Sequence, residues 1–466
     1  MKTTIRIASL ALAWSLASIA CSTEDDPRDP ERRDVGNGSG TDMGDAPMEP
    51  EFERTVLDGL GAMDVNVGNF AVARIAPSGL AAVAYVHQDT TNLRETIHYV
   101  EQTGPGTWGA PEEAAFPGNV IEQQTGMDFR GSRILQFGFD FVNGQPQIAH
   151  VGGGPSMLIS SGFPTDLMRS VRGPGGWSED PQALVADSNE TTEGMPCPEG
   201  NQVCDFGDIV GSYVAARAGP GGTFAVAYRD QHQEAEAEVS ARADLEVYIE
   251  GPGGVRKVLV DPARNAPFRT NVAFTPDGRV VVAYRIQAPP EVFREAAGIW
   301  VAVEGDDGSF ALHEVSEDVT VHRIGLDVSD SGRIALAYWE QGRSDLVVAT
   351  SDDDGETWTV ERPDERDDTG LFPDLAFDDL GREVVSYTYC GRAGGGDCPG
   401  DLGPDSQVRL ARREGGDWAI YTVDDGQGFG NVGTDTNVVV YPDGHLGVTF
   451  RDSRNADLVF AEEVTP

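Results

Sequence analysis

Arginine and aspartate stand side by side at Arg229-Asp230 and again at Arg451-Asp452, and His232, Arg285, Arg323 and Glu340 belong to the same polar set. A guanidinium is a planar fork of donors that fits a carboxylate or sulfate, and an adjacent acid supplies acceptors for hydroxyl or amine groups. Such a set could hold an acidic ligand. The competing reading is that each Arg-Asp pair satisfies itself or caps a strand end. His87 and Asp89 join the set, as do Arg133, Arg269 and Arg323, which precede apolar runs. His87, His150 and His232 fall in successive units of the chain, but His150 takes the place of a ring, and the expectation is that they hold no metal. No cofactor is expected beyond, at most, a structural calcium ion. Outside the N-terminal segment Lys257 is the only lysine, which argues against Schiff-base chemistry.

The elements that must position these residues are written in a repeat. Glycine is followed six residues later by a ring at Gly79/Tyr85, Gly144/His150, Gly222/Tyr228, Gly278/Tyr284, Gly332/Tyr338, Gly381/Tyr387 and Gly444/Phe450. Before each ring comes a small residue (Ala84, Ala149, Ala227, Ala283, Ala337, Ser386, Thr449), and before that a branched aliphatic. Each glycine closes a turn, such as Pro276-Asp277-Gly278, where it supplies a positive φ. A period of this size marks units that cannot bury their faces alone. Four short strands per unit, arranged radially, describe a propeller blade. The small residues suit crowded inner strands, and the rings suit packing between blades.

The last unit ends after Leu458 to Glu463, whereas Phe52 to Leu57 reads like the fourth strand Val255 to Val260. The expected fold is therefore all-β: a seven-bladed β-propeller of four-stranded antiparallel blades spanning residues 51–466, closed by its N-terminal strand. Closure removes open sheet edges. The turns between strands one and two and between strands three and four are tight. The long segments all link strands two and three or successive blades, so they share the opposite face. Function gathers on such loops. All of the polar set named above falls on that face.

Cys197/Cys204 and Cys390/Cys398 form two close pairs on the long-loop face. In an exported chain they read as two disulfides. Export is read from the N-terminus: Lys2 and Arg6 precede the apolar stretch Ile7 to Ala20, which is short for a membrane span. Residues 1–20 are expected to be a signal peptide and 21–50 a disordered linker, rich in Asp, Glu, Pro and Gly. Net charge is −43, and losing Lys2 and Arg6 takes the remainder to −45. So negative a field excludes nucleic acid and anionic membrane surfaces as natural partners. The expected state is a monomer touching the membrane only through an anchor.

Two resemblances extend this reading. Ser18-Ile19-Ala20-Cys21 resembles the bacterial lipoprotein signal, which implies lipidation of Cys21, and Ser22 after it implies the outer membrane. Ser351-Asp352-Asp353-Asp354-Gly355-Glu356-Thr357-Trp358 resembles the Asp-box of sialidase-like propellers (the bacterial neuraminidase repeat). There Ser351, Asp353, Gly355, Thr357 and Trp358 are structural and lie away from the catalytic face. That resemblance admits a sialidase-type glycosidase, which needs three arginines, a tyrosine with a glutamate, and an aspartate acid. Such enzymes also carry an Arg-Ile-Pro motif; the closest string here, Arg74-Ile75-Ala76-Pro77, lies on the turn face with an extra alanine. The reading favoured is a non-catalytic, lipid-anchored propeller that binds a glycan, peptide or partner protein on its long-loop face. The glycosidase is the alternative.

Overall fold

The computed structural model describes residues 50–62, 64–91, 94–116, 136–152, 165–179, 181–186, 209–231, 243–262, 268–286, 297–317, 322–391, 405–428 and 430–464. The chain divides into Met1–Met48 and Glu49–Pro466, and the description concerns the second. The signal, Cys21 and nearly all of the linker lie outside the described residues. So do His232, Arg133, Cys197, Cys204 and Cys398. No helix among the described residues is long and apolar enough to cross a membrane.

Seven antiparallel sheets follow one another along the chain. Blade 1 runs through Val65–Ile75, Ala81–Asp89 and Arg94–Gly104; blade 2 through Gly138–Val142, Gln145–Gly152 and Asp166–Gly173. Both end in a fourth strand broken in two, at Pro111 and Pro181, because proline cannot donate to the ladder. Blades 3, 4, 5 and 6 each have four unbroken strands, starting at Ile209–Ala218, Phe268–Phe274, Gly325–Val328 and Thr369–Phe377. Blade 7 has Val432–Val440, Leu446–Asp452 and Asp457–Val464, and Glu51–Asp58 completes it as the outermost strand. Its register sets Phe52 opposite Glu463 and Val56 opposite Val459. The seven-bladed, N-terminally closed propeller expected from the repeat is the fold observed.

The core lies between blades rather than within them. Each of seven apolar clusters draws on two neighbours: Tyr284 and Val282 of blade 4 pack with Ala227 and Leu245 of blade 3, and Tyr85 of blade 1 packs with Phe460 of blade 7. A fully buried Val or Leu contributes about 1.5–3 kcal/mol, so a single blade has no stable face of its own. The ring residues also make polar latches. Tyr85, Tyr284 and Tyr387 donate to Asp58, Asp261 and Asp364, each at the end of the preceding blade's fourth strand, at 2.6, 2.7 and 2.8 Å. Blade 7 has Phe450 in this slot and no hydroxyl. There Arg54 of the closing strand reaches Asp424 of blade 6 (2.9 Å) and Asp452 of blade 7 (2.7 Å). The seam is thereby fastened from the other side.

On the turn face, the hairpin from Ser351 to Trp358 is knitted by its own side chains. Asp353 accepts from the Thr357 N–H (2.9 Å) and hydroxyl (2.6 Å), and Ser351 Oγ accepts from the Gly355 N–H (2.9 Å). Gly355 has φ +90, and a Cβ there would press on His313. Trp358 lies against the cluster shared by blades 4 and 5.

Candidate functional site

The first strands of all seven blades line the central channel, and their registers give it layers. The residues opposite the small residue before each ring are Val72, Gly138, Ala215, Asn271, Gly325, Asp374 and Asn437. Here the strands crowd: Gly138 leaves no room for a Cβ against Ala216, nor Gly325 against Leu375. Asp374 fills the middle, accepting from Asn437 Nδ2 (2.6 Å) and the Val438 N–H (3.1 Å). Burial raises its pKa against the pull of Arg323 and Arg74.

Two residues further toward the turn face, Arg74, Asp140, Arg217 and Asp327 surround a cavity of about 380 Å³. Charges of opposite sign alternate there, with Asp140 3.8 Å from Arg74 and 3.7 Å from Arg217, and Asp327 3.7 Å from Arg217. The layer neutralises itself.

Two residues toward the long-loop face, the equivalent positions are Phe70, Gln136, Tyr213, Arg269, Arg323, Phe372 and Asp435. Five of these seven, Phe70, Tyr213, Arg269, Phe372 and Asp435, have φ between 50 and 56. The ladders are irregular on either side of four of them. Left-handed backbone at a non-glycine residue costs on the order of 1–3 kcal/mol and persists where its surroundings impose it. Bulges of this kind re-aim side chains. Here the backbone is held by contacts between blades: Thr270 Oγ1 donates to the Tyr213 carbonyl, Thr436 Oγ1 to that of Phe372 (2.6 Å), and Gln136 Nε2 to that of Thr270 (2.7 Å).

Around this strained ring the arginines gather. Arg323 spans from blade 5 to the carbonyls of Ala71 (3.2 Å) and Thr436 (3.3 Å) in blades 1 and 7. Asp435 accepts from the Phe70 N–H; burial raises its pKa while Arg323, Arg269 and Arg451 pull it down. Arg229 and Arg285 lie over Phe268, 4.4 and 5.4 Å from its ring centre, and Tyr213 meets the same ring edge-on at 5.1 Å. Burial lowers the pKa of both arginines to about 10, and Arg269 adds to the effect at Arg285. The buried His322, beside Trp339 and Phe372, is pushed down to about 3 by burial and then by Arg269 and Arg285. Blades 3, 4, 5 and 7 thus bring five arginines to one mouth of the channel.

The sequence-derived set is only partly convergent. Arg229, Arg285 and Arg323 come together at the mouth, and Arg451 approaches it through Asp435 while bonding Asn66 (3.0 and 2.9 Å) and Ser453 (2.8 Å). Glu340 is held bidentately by Arg362 at 2.9 and 2.7 Å. Asp452 accepts from Arg54 in the closing seam. Asp230 is buried where its strand pairs with Val210 and Asp244. Arg269, expected just ahead of a strand, is inside one. Sequence reading missed Tyr213, Phe268, Phe372 and Asp435. The signal was a second repeat: Gly68-x-Phe70, Gly211-x-Tyr213, Gly370-x-Phe372 and Gly433-x-Asp435, in which the glycine also has positive φ.

The histidines part company. His150 is buried, with Nδ1 2.8 Å from the Val151 carbonyl and Nε2 3.1 Å from Ser170 Oγ. Burial lowers its pKa to about 4. His87 instead meets His98 edge-on, ring centres 4.3 Å apart, close to Asp58. Burial lowers both pKa values, that of His98 to about 4 with His87 adding to the effect.

No family model and no curated protein matches this sequence. Solved structures do match its fold. One is a protein of unknown function from Dyadobacter fermentans, at 11% identity and TM-score 0.47, over 90% of this chain and 100% of that one. Another is the NanB sialidase of Streptococcus pneumoniae, at 12% identity and TM-score 0.47, over 86% and 69%. A third is the phage phi92 endosialidase, at 10% identity and TM-score 0.49, over 90% and 70%.

Proposed function

We propose that this propeller is a binding protein, and that the long-loop mouth of its channel captures the carboxylate or sulfate groups of an acidic glycan or peptide without turning it over. The observation that carries the proposal is the concentration of Arg269, Arg323 and Arg451 around one aspartate, Asp435, with Arg229 and Arg285 beside them over Phe268, in a chain of net charge −43. Burial disfavours the charge of Arg229, Arg285 and Arg451, with Arg269 adding repulsion at Arg285, and a bound anion offsets that cost. A charge-assisted contact shielded from water contributes roughly 1.5–3 kcal/mol. Tyr213 and Phe268 add apolar faces on which a sugar ring or aliphatic side chain can rest. Lipidation at Cys21 would hold this face outside the cytoplasm, on the outer membrane. Disulfides Cys197–Cys204 and Cys390–Cys398 would order the loops around it.

The glycosidase reading has one observation in its favour, the arginine group itself. Against it stands the place of the tyrosine–glutamate pairs among the described residues. Tyr99 with Glu101, Tyr228 with Glu246, Tyr248 with Glu250 and Tyr421 with Glu414 all lie on second, third or fourth strands rather than on the first strands that line the channel. Calorimetric titration of the purified chain with sialylated and sulfated oligosaccharides, and with their neutral counterparts, tests the proposal. Binding of the acidic forms alone, weakening with salt, is expected. Equal binding of neutral forms would overturn it, and release of a reporter group from a sialoside would establish the enzyme instead.

A further inference from the structure

Asp58, His87 and His98 each present one ligating atom within 4.8 Å of the other two. The three come from different strands. Asp58 ends the closing strand of blade 7, His87 lies two residues beyond the ring Tyr85, and His98 is paired with Tyr85 on the next strand. Because side chains alternate along a strand, His87, Tyr85 and His98 share the face that meets Asp58.

The polar bookkeeping of the cluster is incomplete. Both ring nitrogens of His87 and Nδ1 of His98 are shut off from solvent and have no hydrogen-bond partner among the described residues. A neutral imidazole carries one donor and one acceptor, and leaving both unsatisfied inside a protein is costly. The Asp58 carboxylate is already oriented: Oδ2 accepts from Tyr85 (2.6 Å) and Oδ1 from the Gly59 N–H (2.7 Å), with His98 Nδ1 at 3.8 Å. It retains lone pairs for a further partner. The neighbouring cation Arg94 is engaged bidentately by Glu113 at 2.9 and 2.8 Å.

We infer that Asp58, His87 and His98 form a binding site for a divalent ion of the zinc class, which staples the closing strand to blade 1. Two imidazoles and one carboxylate are a common donor set for zinc, with a fourth position open to water. Tetrahedral bonds of about 2.0–2.1 Å set ligand atoms a little over 3 Å apart, so side-chain rotation alone closes the cluster. Tyr85 then serves as the outer partner that fixes the carboxylate. Binding to the folded state alone makes the ion a lock on ring closure.

The full chain, purified without a histidine tag and stripped by chelator, is dialysed against Zn²⁺ and against Co²⁺. One ion per chain is expected, with a raised melting temperature and the intense visible bands of four-coordinate Co²⁺. His87→Gln and His98→Gln should each weaken Zn²⁺ binding at least tenfold and abolish the gain in melting temperature, while His313→Gln on the turn face changes neither. No retained ion, or a Co²⁺ spectrum like that of the hexa-aquo ion, would overturn the site without recourse to any variant. Undiminished binding by the His87→Gln/His98→Gln double variant would do the same.

Discussion

The two ends of the channel are built from equivalent positions on the same seven strands, yet they are electrostatically unlike. Toward the tight turns, Arg74, Asp140, Arg217 and Asp327 alternate in sign and neutralise one another. Toward the long loops, Arg269, Arg323 and Arg451 converge on Asp435, with Arg229 and Arg285 beside them. The backbone differs in the same sense: the neutral end follows regular ladders, whereas the cationic end is bulged and left-handed at five positions. Strain and like charge both oppose folding, so their confinement to one end marks it as built for something besides stability. The neutral end has the character of a core, and the cationic end is where the proposed site lies.

Breaking the core end should have the largest effect. Asp374→Ala removes the acceptor of Asn437 and Val438 and leaves Arg74, Arg217 and Arg323 without their central acid. A loss of about 3–5 kcal/mol is expected, the range for removing one partner of a buried charge cluster. A urea denaturation midpoint far below that of the wild type, with unchanged slope, would show it.

At the cationic end the expected loss is in affinity. Arg285→Ala should weaken capture of an acidic oligosaccharide by about 10- to 150-fold, from roughly 1.5–3 kcal/mol per shielded contact. Arg217→Ala at the other end should lower stability and leave affinity within about twofold. Equal affinity losses at Arg285 and Arg217 would erase the distinction between the two ends. The seams between blades give an intermediate control. Tyr284→Phe strips a donor from buried Asp261 and should cost about 1–3 kcal/mol of stability without touching binding.

How far the sequence was readable follows the same division. The fold was legible because the Gly-to-ring repeat is a packing requirement: each ring fills the gap to the next blade, and only a residue as small as Ala84, Ser386 or Thr449 precedes it. The closing strand could be read from its likeness to residues 255–260. Arg229, Arg285 and Arg323 could be placed on the long-loop face because strand ends alternate predictably. Glu340 and Asp452 show where the reading thins, since an acid at a strand end looks the same in sequence whether it faces a ligand or an arginine, and these two bond Arg362 and Arg54. Tyr213 and Asp435 were hidden because a bulge inserts residues and breaks the alternation from which facing is inferred.

The smallest effect, and the most discriminating, is the pH dependence of two buried carboxylates. Asp364, in the seam between blades 5 and 6, is itself buried, which tends to raise its pKa. Its bonds to Arg366 and Tyr387 and the charge of Arg366 outweigh that and hold the pKa below the ordinary carboxylate value. Its contribution to stability is therefore present above the unfolded-state value near 4 and is lost as pH falls through the lower folded value. Asp374, in the channel, has its pKa raised, with burial as the leading cause. The folded state then holds that proton more tightly than the unfolded chain, and stability falls as pH rises from near 4 through the raised value. Denaturation of wild type, Asp364→Asn and Asp374→Asn across pH 2–7 should therefore give slopes of opposite sign. The advantage of wild type over Asp364→Asn should grow with rising pH, and its advantage over Asp374→Asn should shrink. Two slopes of the same sign would mean that the channel aspartate is solvated like any other acid, and the assignment of that end as a desolvated core would fail with it.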